Sequence, residues 1–63
     1  MIINSELAYR KLRCNVHDSN RDVLRAARNL PRFDRLSREG RRKLFIGVLK
    51  HHQAARAAWY TVR

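Results

Sequence analysis

Apolar side chains in the C-terminal part of the chain recur every three or four residues, which is the spacing of one face of an α-helix. This stripe consists of Phe45, Val48, His52, Ala55, Trp59 and Val62. Leu44, Ile46 and Leu49 widen it at its N-terminal end, as expected for a helix that faces a core. No proline interrupts the stripe, and Gly47 costs the helix about 1 kcal/mol relative to alanine. The pattern predicts one long helix over residues 38–62, whose apolar face must be covered.

The N-terminal half carries the same rhythm on both sides of a polar stretch, Asp18-Ser19-Asn20. The apolar positions are Tyr9, Leu12 and Val16 before it, and Val23, Ala27 and Leu30 after it. Residues of these three types favour helix N-termini over helix interiors, which predicts two helices, over residues 5–17 and 20–30. A single helix over residues 5–29 stays open, because the rhythm runs through the polar stretch with Ser19 as its one polar member.

Pro31 ends whatever helix precedes it, because the residue before a proline is disfavoured in the α region. Residues 32–36 form a short connector, in which Phe33 and Leu36 can close the end of the core, and Ser37 can cap the last helix. A short connector turns the last helix back antiparallel to the earlier ones. We therefore predict an all-α fold, a helical hairpin or small three-helix bundle, in a single domain of residues 1–63. The predicted core and interface residues are Tyr9, Leu12, Val16, Val23, Ala27, Leu30, Phe33, Leu36, Phe45, Val48, Leu49, His52, Ala55 and Trp59.

Length and composition limit the kinds of protein this can be. A chain of 63 residues buries a thin core and is marginally stable unless it associates with itself or a partner. A lone cysteine, Cys14, fits a reducing cytosol, and no signal peptide or membrane span is expected from the sequence. The formal net charge is +10, and twelve of the fifteen basic residues are arginine. This excess predicts either an acidic protein surface or a nucleic acid as the partner.

The arginines themselves are regularly spaced. One series, with spacings of four and three, is Arg21, Arg25, Arg28, Arg32 and Arg35, and a second cluster at the start of the last helix is Arg38, Arg41, Arg42 and Lys43. The functional interpretation is a ridge of guanidinium groups that binds carboxylates or phosphates. The plainer interpretation is a solvated face that Asp18, Asp22 and Asp34 partly neutralise.

The sequence contains no pattern typical of a metal or catalytic site. His51 and His52 are adjacent and point about 100° apart on a helix, and Cys14 with His17 supplies only two ligands. His52 falls on the apolar stripe, so we interpret it as a buried histidine with satisfied hydrogen bonds. No glycine-rich phosphate loop, catalytic triad or carboxylate pair is present. We expect no enzymatic activity, no cofactor and no metal.

Residues 23–45 carry a resemblance to a known family. Their sequence is VLRAARNLPRFDRLSREGRRKLF. This run resembles a small protein of lambdoid bacteriophages, encoded among the short reading frames between the exonuclease and excisionase genes. The resemblance implies an early phage protein in the host bacterial cytoplasm, associated with the choice between lysis and lysogeny and with disturbance of the host cell cycle. It brings no site residue with it, because the family has no established biochemical activity.

Two functional hypotheses follow from these observations. The first is a regulatory protein that binds an acidic host or phage protein, favoured by the long apolar stripe and thin core. The second is a sequence-tolerant nucleic-acid-binding protein that contacts phosphates through its arginines. Self-association into a dimer stays open, because two copies of the last helix can cover each other.

Overall fold

The computed structural model describes residues 4–61 and is built from helices. Helix α1 spans Ser5–Leu12, α2 spans Asn20–Arg28, and α3 spans Arg38–Thr61, with one turn of 3-10 helix at Phe33–Arg35 between α2 and α3. The three α-helices pack against one another in a body of 40 × 19 × 16 Å. The prediction of an all-α fold with a long last helix is therefore confirmed, and the structure is the three-helix alternative. Val62, the last residue of the predicted stripe, lies outside the described residues.

The polar stretch around Ser19 does separate two helices. The side-chain Oγ of Ser19 accepts a hydrogen bond of 3.2 Å from the backbone N–H of Asp22, and Ser19 itself has extended backbone angles. In the same way, Oδ1 of Asn4 accepts a bond of 3.0 Å from the N–H of Leu7 at the start of α1. Both side chains satisfy N–H groups that a helix start leaves without partners. The single-helix interpretation is therefore wrong.

The first helix ends five residues earlier than predicted, at Leu12 rather than at residue 17. Arg13 adopts the left-handed region with φ 53°, and the chain then enters a loop. Asn15 donates its backbone N–H to Oδ2 of Asp18 at 3.0 Å and accepts the N–H of His17 on its own Oδ1 at 2.9 Å. Side-chain bonds of this kind compete with the helix ladder. Val16 is partly buried, but it lies in this loop and not on the helical face with Tyr9 and Leu12.

The connector between α2 and α3 has two distinct features. Helix α2 ends at Arg28, two residues before the predicted end, and Arg32 takes a left-handed conformation with φ 68° just before the 3-10 turn. Ser37 then caps α3, since its Oγ accepts a bond of 3.1 Å from the N–H of Gly40. The predicted cap at Ser37 is thus confirmed.

The core lies between α2 and α3. Its buried members are Val23, Ala27, Leu44, Val48 and His52. The remaining residues predicted for the core and interface are partly buried: Tyr9, Leu12, Val16, Leu30, Phe33, Leu36, Phe45, Leu49, Ala55 and Trp59. Leu44 is 4% exposed, although the sequence pattern placed it at the edge of the stripe. Helix α1 contributes no fully buried side chain and covers this small core from one side.

Helix α1 begins directly against α3 at Gly47. A Cβ atom added to Gly47 would overlap the Cβ and Oγ atoms of Ser5. Gly47 is therefore the point at which the start of α1 closely approaches α3. The low helix propensity of glycine does not by itself indicate such a contact.

Candidate functional site

The arginines of α2 form an exposed row opposite the core. Arg21, Arg25 and Arg28 are all exposed, whereas Val23 and Ala27 on the same helix are fully buried. Since residues three and four apart share a helical face, the three guanidinium groups lie along one side of α2. This part of the predicted ridge is present in the structure.

The ridge does not continue as a helical face beyond Arg28. Arg32 lies in the left-handed region before the 3-10 turn, and Arg35 is the last residue of that turn. Both side chains are exposed. Their spacing of four and three from Arg28 therefore no longer places them on the same helical face, although it keeps them on the surface of the connector.

The second predicted cluster divides in the structure. Arg38, Arg42 and Lys43 are exposed in the first turns of α3, and Nζ of Lys43 lies 3.5 Å from Oε1 of Glu39 in a solvent-exposed pair. Arg41, in contrast, is partly buried, and its Nη2 donates to the backbone carbonyl of Asp34 at 3.2 Å. Its guanidinium also stacks over the ring of Phe33, 5.1 Å from the centroid. Arg41 thus ties α3 to the 3-10 turn, which gives this side chain a structural role beside its predicted role in partner binding.

Two arginines enclose a pair of phenylalanine rings. The guanidinium carbon of Arg28 lies 5.8 Å from the centroid of Phe45, and the rings of Phe45 and Phe33 lie 5.5 Å apart. Since Arg41 contacts Phe33 in turn, the contacts run from cation to ring to ring to cation. Cation–π contacts at exposed sites contribute about 0.5–1 kcal/mol each. The stack connects α2, the 3-10 turn and α3, and it holds the side chain of Arg28 in place on the surface.

Contact ion pairs with carboxylates do not neutralise the arginine row. Within residues 4–61, ion pairs join Arg10 to Glu6 and Lys43 to Glu39, and they involve none of the aspartates. The carboxylate of Asp18 instead accepts the N–H of Asn15. Among the described residues, any partial neutralisation of the ridge by Asp18, Asp22 and Asp34 therefore acts across solvent and not through direct ion pairs.

His52 is fully buried, as predicted, and both of its ring nitrogens are hydrogen-bonded. Nδ1 lies 2.7 Å from the hydroxyl oxygen of Tyr9, and Nε2 lies 2.8 Å from the backbone carbonyl oxygen of Asp18. Because a carbonyl oxygen can only accept, Nε2 carries a proton, and in a neutral imidazole ring Nδ1 then accepts from the Tyr9 hydroxyl. Burial, and secondarily the nearby Cys14 and Asp18, raise the pKa of the Tyr9 phenol. Sequence reasoning anticipated the burial of His52 but neither of its partners.

The other ring-bearing side chains have packing roles. Trp59 is partly buried, and its ring meets that of His17 edge to face at 4.7 Å. Tyr60, which is not part of the apolar stripe, is exposed. Cys14 and His17 both lie in the loop after α1, and no group of three or more potential metal ligands occurs among residues 4–61. Within the same range, no helix is long and apolar enough to cross a membrane.

Comparisons with known proteins give no match for this chain. No protein-family model, no curated protein and no solved structure matches it. The role of the protein therefore has to be argued from its own exposed charges, contacts and grooves.

Proposed function

We propose that this chain is a small non-enzymatic regulatory protein that binds an acidic surface of another protein through its exposed arginines. The contact residues are Arg21, Arg25, Arg28, Arg32 and Arg35, together with Arg38, Arg42 and Lys43. The observation that supports this proposal is the exposure of these arginines without a carboxylate partner among residues 4–61.

The chemistry of arginine suits such a partner. A guanidinium group presents a planar fork of N–H donors that matches a carboxylate in two parallel hydrogen bonds. With a net charge of +10 on 63 residues, the basic side chains repel one another, and an acidic partner relieves that repulsion on binding. Complementary charge of this kind mainly raises the association rate and excludes wrong partners. Arg28 is the most organised contact, because the ring of Phe45 already restricts its side chain.

The resemblance of residues 23–45 supports a biological setting for this activity. We place the protein among early products of lambdoid phages, acting in the host bacterial cytoplasm on a host or phage protein. Its effect then belongs to the choice between lysis and lysogeny and to disturbance of the host cell cycle. This setting is part of the proposal, and the partner has to be found by experiment.

The test is affinity capture from phage-infected cells with a charge-reversed variant. Arg21→Glu with Arg25→Glu removes two exposed guanidinium groups that have no ion pair or ring contact among residues 4–61. The matched control is Arg13→Glu with Lys50→Glu, which makes the same change in charge at two exposed positions outside the proposed surface. The proposal expects a discrete captured protein that the first variant loses and the control keeps. Equal capture by both variants would refute it.

A second candidate function is sequence-tolerant binding of nucleic acid. The same observation favours it, because guanidinium groups without carboxylate partners also suit phosphates. Binding through several phosphates weakens steeply between about 50 and 200 mM salt. A gel shift with duplex DNA at low salt that disappears over this range, and that Arg21→Glu with Arg25→Glu abolishes, would support this candidate over the first. Absence of a complex at low salt would exclude it.

A further inference from the structure

An open groove of about 560 Å³ runs between α1 and the segment that joins α2 to α3. Its apolar lining includes Leu7 from α1 and Leu30, Phe33 and Leu36 from the connecting segment. The last three are partly buried and pack against the core, so the floor of the groove is held in place. Leu7 stands at the side with 49% of its surface exposed.

The charged residues that line this groove are all basic. Lys11 and Arg32 line it, and none of its lining residues is acidic. Both cations are exposed, and neither forms an ion pair among residues 4–61. An apolar groove bordered by unpaired cations is complementary to a segment that combines large apolar side chains with carboxylates.

The backbone at Arg32 adds a separate observation. Its φ of 68° lies in the left-handed region, which glycine adopts freely and other residues adopt at a cost of about 1 kcal/mol or more. Compared with glycine, arginine at this position makes the fold less stable, but it places a charged side chain at the groove. Strained backbone of this kind concentrates at binding sites, where the side chain has a use outside the fold.

We infer that this groove binds the apolar side chains of an acidic protein segment, whose flanking carboxylates pair with Lys11 and Arg32. The inference rests on the proposed function and deepens it, since it gives the acidic partner an apolar anchor and a defined docking site. Buried apolar anchors contribute most of the affinity of such interfaces, and the surrounding charges orient the partner. A partner that carried only negative charge would leave the apolar floor uncovered.

The probe is a short synthetic amphipathic peptide with glutamates on one face and leucine and phenylalanine on the other. Binding is followed by amide chemical shifts of the isotope-labelled full chain. The inference expects shifts at Leu7, Ala8, Lys11, Leu30 and residues 32–36. Replacing the leucines and phenylalanines of the peptide by alanine should weaken binding about tenfold or more. A peptide with glutamine in place of glutamate should also bind more weakly.

Leu7 and Ile46 are exposed aliphatic residues of similar size, so substitutions at these positions provide a matched pair of variants. Leu7→Glu places a charge at the groove, and Ile46→Glu makes the same change on α3 at a position that does not line it. The two side chains are 49% and 47% exposed, so the cost to folding is similar and small. The inference expects Leu7→Glu to lose the peptide and Ile46→Glu to keep it. Equal binding by the two variants would overturn the inference.

Arg32→Gly separates binding from stability. Glycine fits the left-handed backbone, so the variant should melt at the same or a higher temperature than the parent chain. It should nevertheless bind the acidic peptide more weakly, because one of the two groove cations is gone. Unchanged affinity would remove Arg32 from the site and contradict the inference.

The same measurements distinguish failure of the groove from failure of the proposed function. Peptide shifts confined to the arginines of α2, with no effect of Leu7→Glu, would leave acidic-surface binding in place and reject the groove. Groove shifts caused by a DNA duplex and not by the peptide would also reject it. Loss of captured protein in Arg21→Glu with Arg25→Glu remains the separate test of the proposed function.

Discussion

The hydroxyl oxygen of Tyr9 lies 2.7 Å from Nδ1 of His52, which joins the first helix to the middle of the last at a fully buried side chain. The other ring nitrogen of His52 bonds to the backbone carbonyl of Asp18, so the loop after α1 is attached at the same point. A buried polar group stabilises a small protein only when its hydrogen bonds are made. His52 therefore acts as the junction of α1, the loop and α3.

Removal of the Tyr9 hydroxyl should destabilise the fold. Tyr9→Phe keeps the ring but leaves Nδ1 of His52 buried without a donor, which costs about 1–3 kcal/mol. Urea unfolding followed by circular dichroism measures this as a lower midpoint. Tyr60→Phe is the control, because Tyr60 is 51% exposed and the change should stay within about 0.5 kcal/mol. Equal midpoints for the two variants would show that the Tyr9–His52 bond contributes nothing to stability.

Alkaline pH should destabilise the protein through Tyr9 and Cys14. Burial raises the pKa of both groups, and the nearby Asp18 raises them further. In the unfolded chain both groups lose their protons at lower pH than in the folded chain, so unfolding releases protons in this range. The stability they contribute begins to fall as the pH rises through the unfolded pKa of the cysteine thiol, about 8.5, and falls further as it rises through that of tyrosine, about 10.

Thermal melts at neutral and alkaline pH test this dependence. The parent chain should lose more stability between pH 8 and about pH 10.5 than the double variant Tyr9→Phe with Cys14→Ala, in which both groups are absent. All other residues are the same in both proteins, so the comparison isolates the contribution of Tyr9 and Cys14. The same loss in both proteins would contradict the prediction.

Gly47→Ala should destabilise the protein although it improves helix propensity. In an open helix interior this change gains about 0.5–1 kcal/mol. Here the new methyl group overlaps the side chain of Ser5, so α1 must shift away from α3, at a cost of about 1–3 kcal/mol.

The control for this prediction is the same change in a Ser5→Gly background, where the obstructing atoms are missing. Gly47→Ala should then be neutral or stabilising, and a double-mutant cycle of unfolding free energies measures the difference. A cycle without coupling energy would show that the two positions do not meet.

Arg41 should matter for stability and its neighbour Arg42 should not. Arg41→Lys keeps the charge but loses the planar stack on Phe33 and the bond to the carbonyl of Asp34, at a cost of about 0.5–1.5 kcal/mol. Arg42→Lys changes an exposed side chain and should stay within about 0.5 kcal/mol. Urea unfolding of the two variants compares them directly, and equal midpoints would contradict the structural role of Arg41.

The helices were predictable where local signals decide them. The stripe that includes Val48 and His52 predicted α3, and Ser37 predicted its start. The stretch Asp18-Ser19-Asn20 favoured a second helix start, and Ser19 is the residue that caps it. The end of α1 was not predictable from periodicity, because Val16 continues the apolar rhythm. The chain leaves the helix at Arg13 since the side chains of Asn15 and Asp18 bond the backbone of the loop, a competition that apolar spacing does not report.

The candidate surface was predictable in part for the same reason. Helical spacing placed Arg21, Arg25 and Arg28 together because all three lie within α2. The same helical spacing did not predict the positions of Arg32 and Arg35, because both residues follow the end of that helix. The role of Arg41 was missed because its partner, the ring of Phe33, lies in a different element.

The order of apolar and polar residues by itself determined an all-helical chain and a basic outer face, because helix periodicity acts over a few neighbouring residues. It left the break at Asp18-Ser19-Asn20 open, and the structure decided it in favour of two helices. Packing decided what those residues contact. Tyr9 and Asp18 reach His52, Ser5 meets Gly47, and Leu7 with Arg32 borders a groove, although these residues lie far apart along the chain. Contacts of this range depend on how the helices cross and where the loops end, which no local pattern specifies.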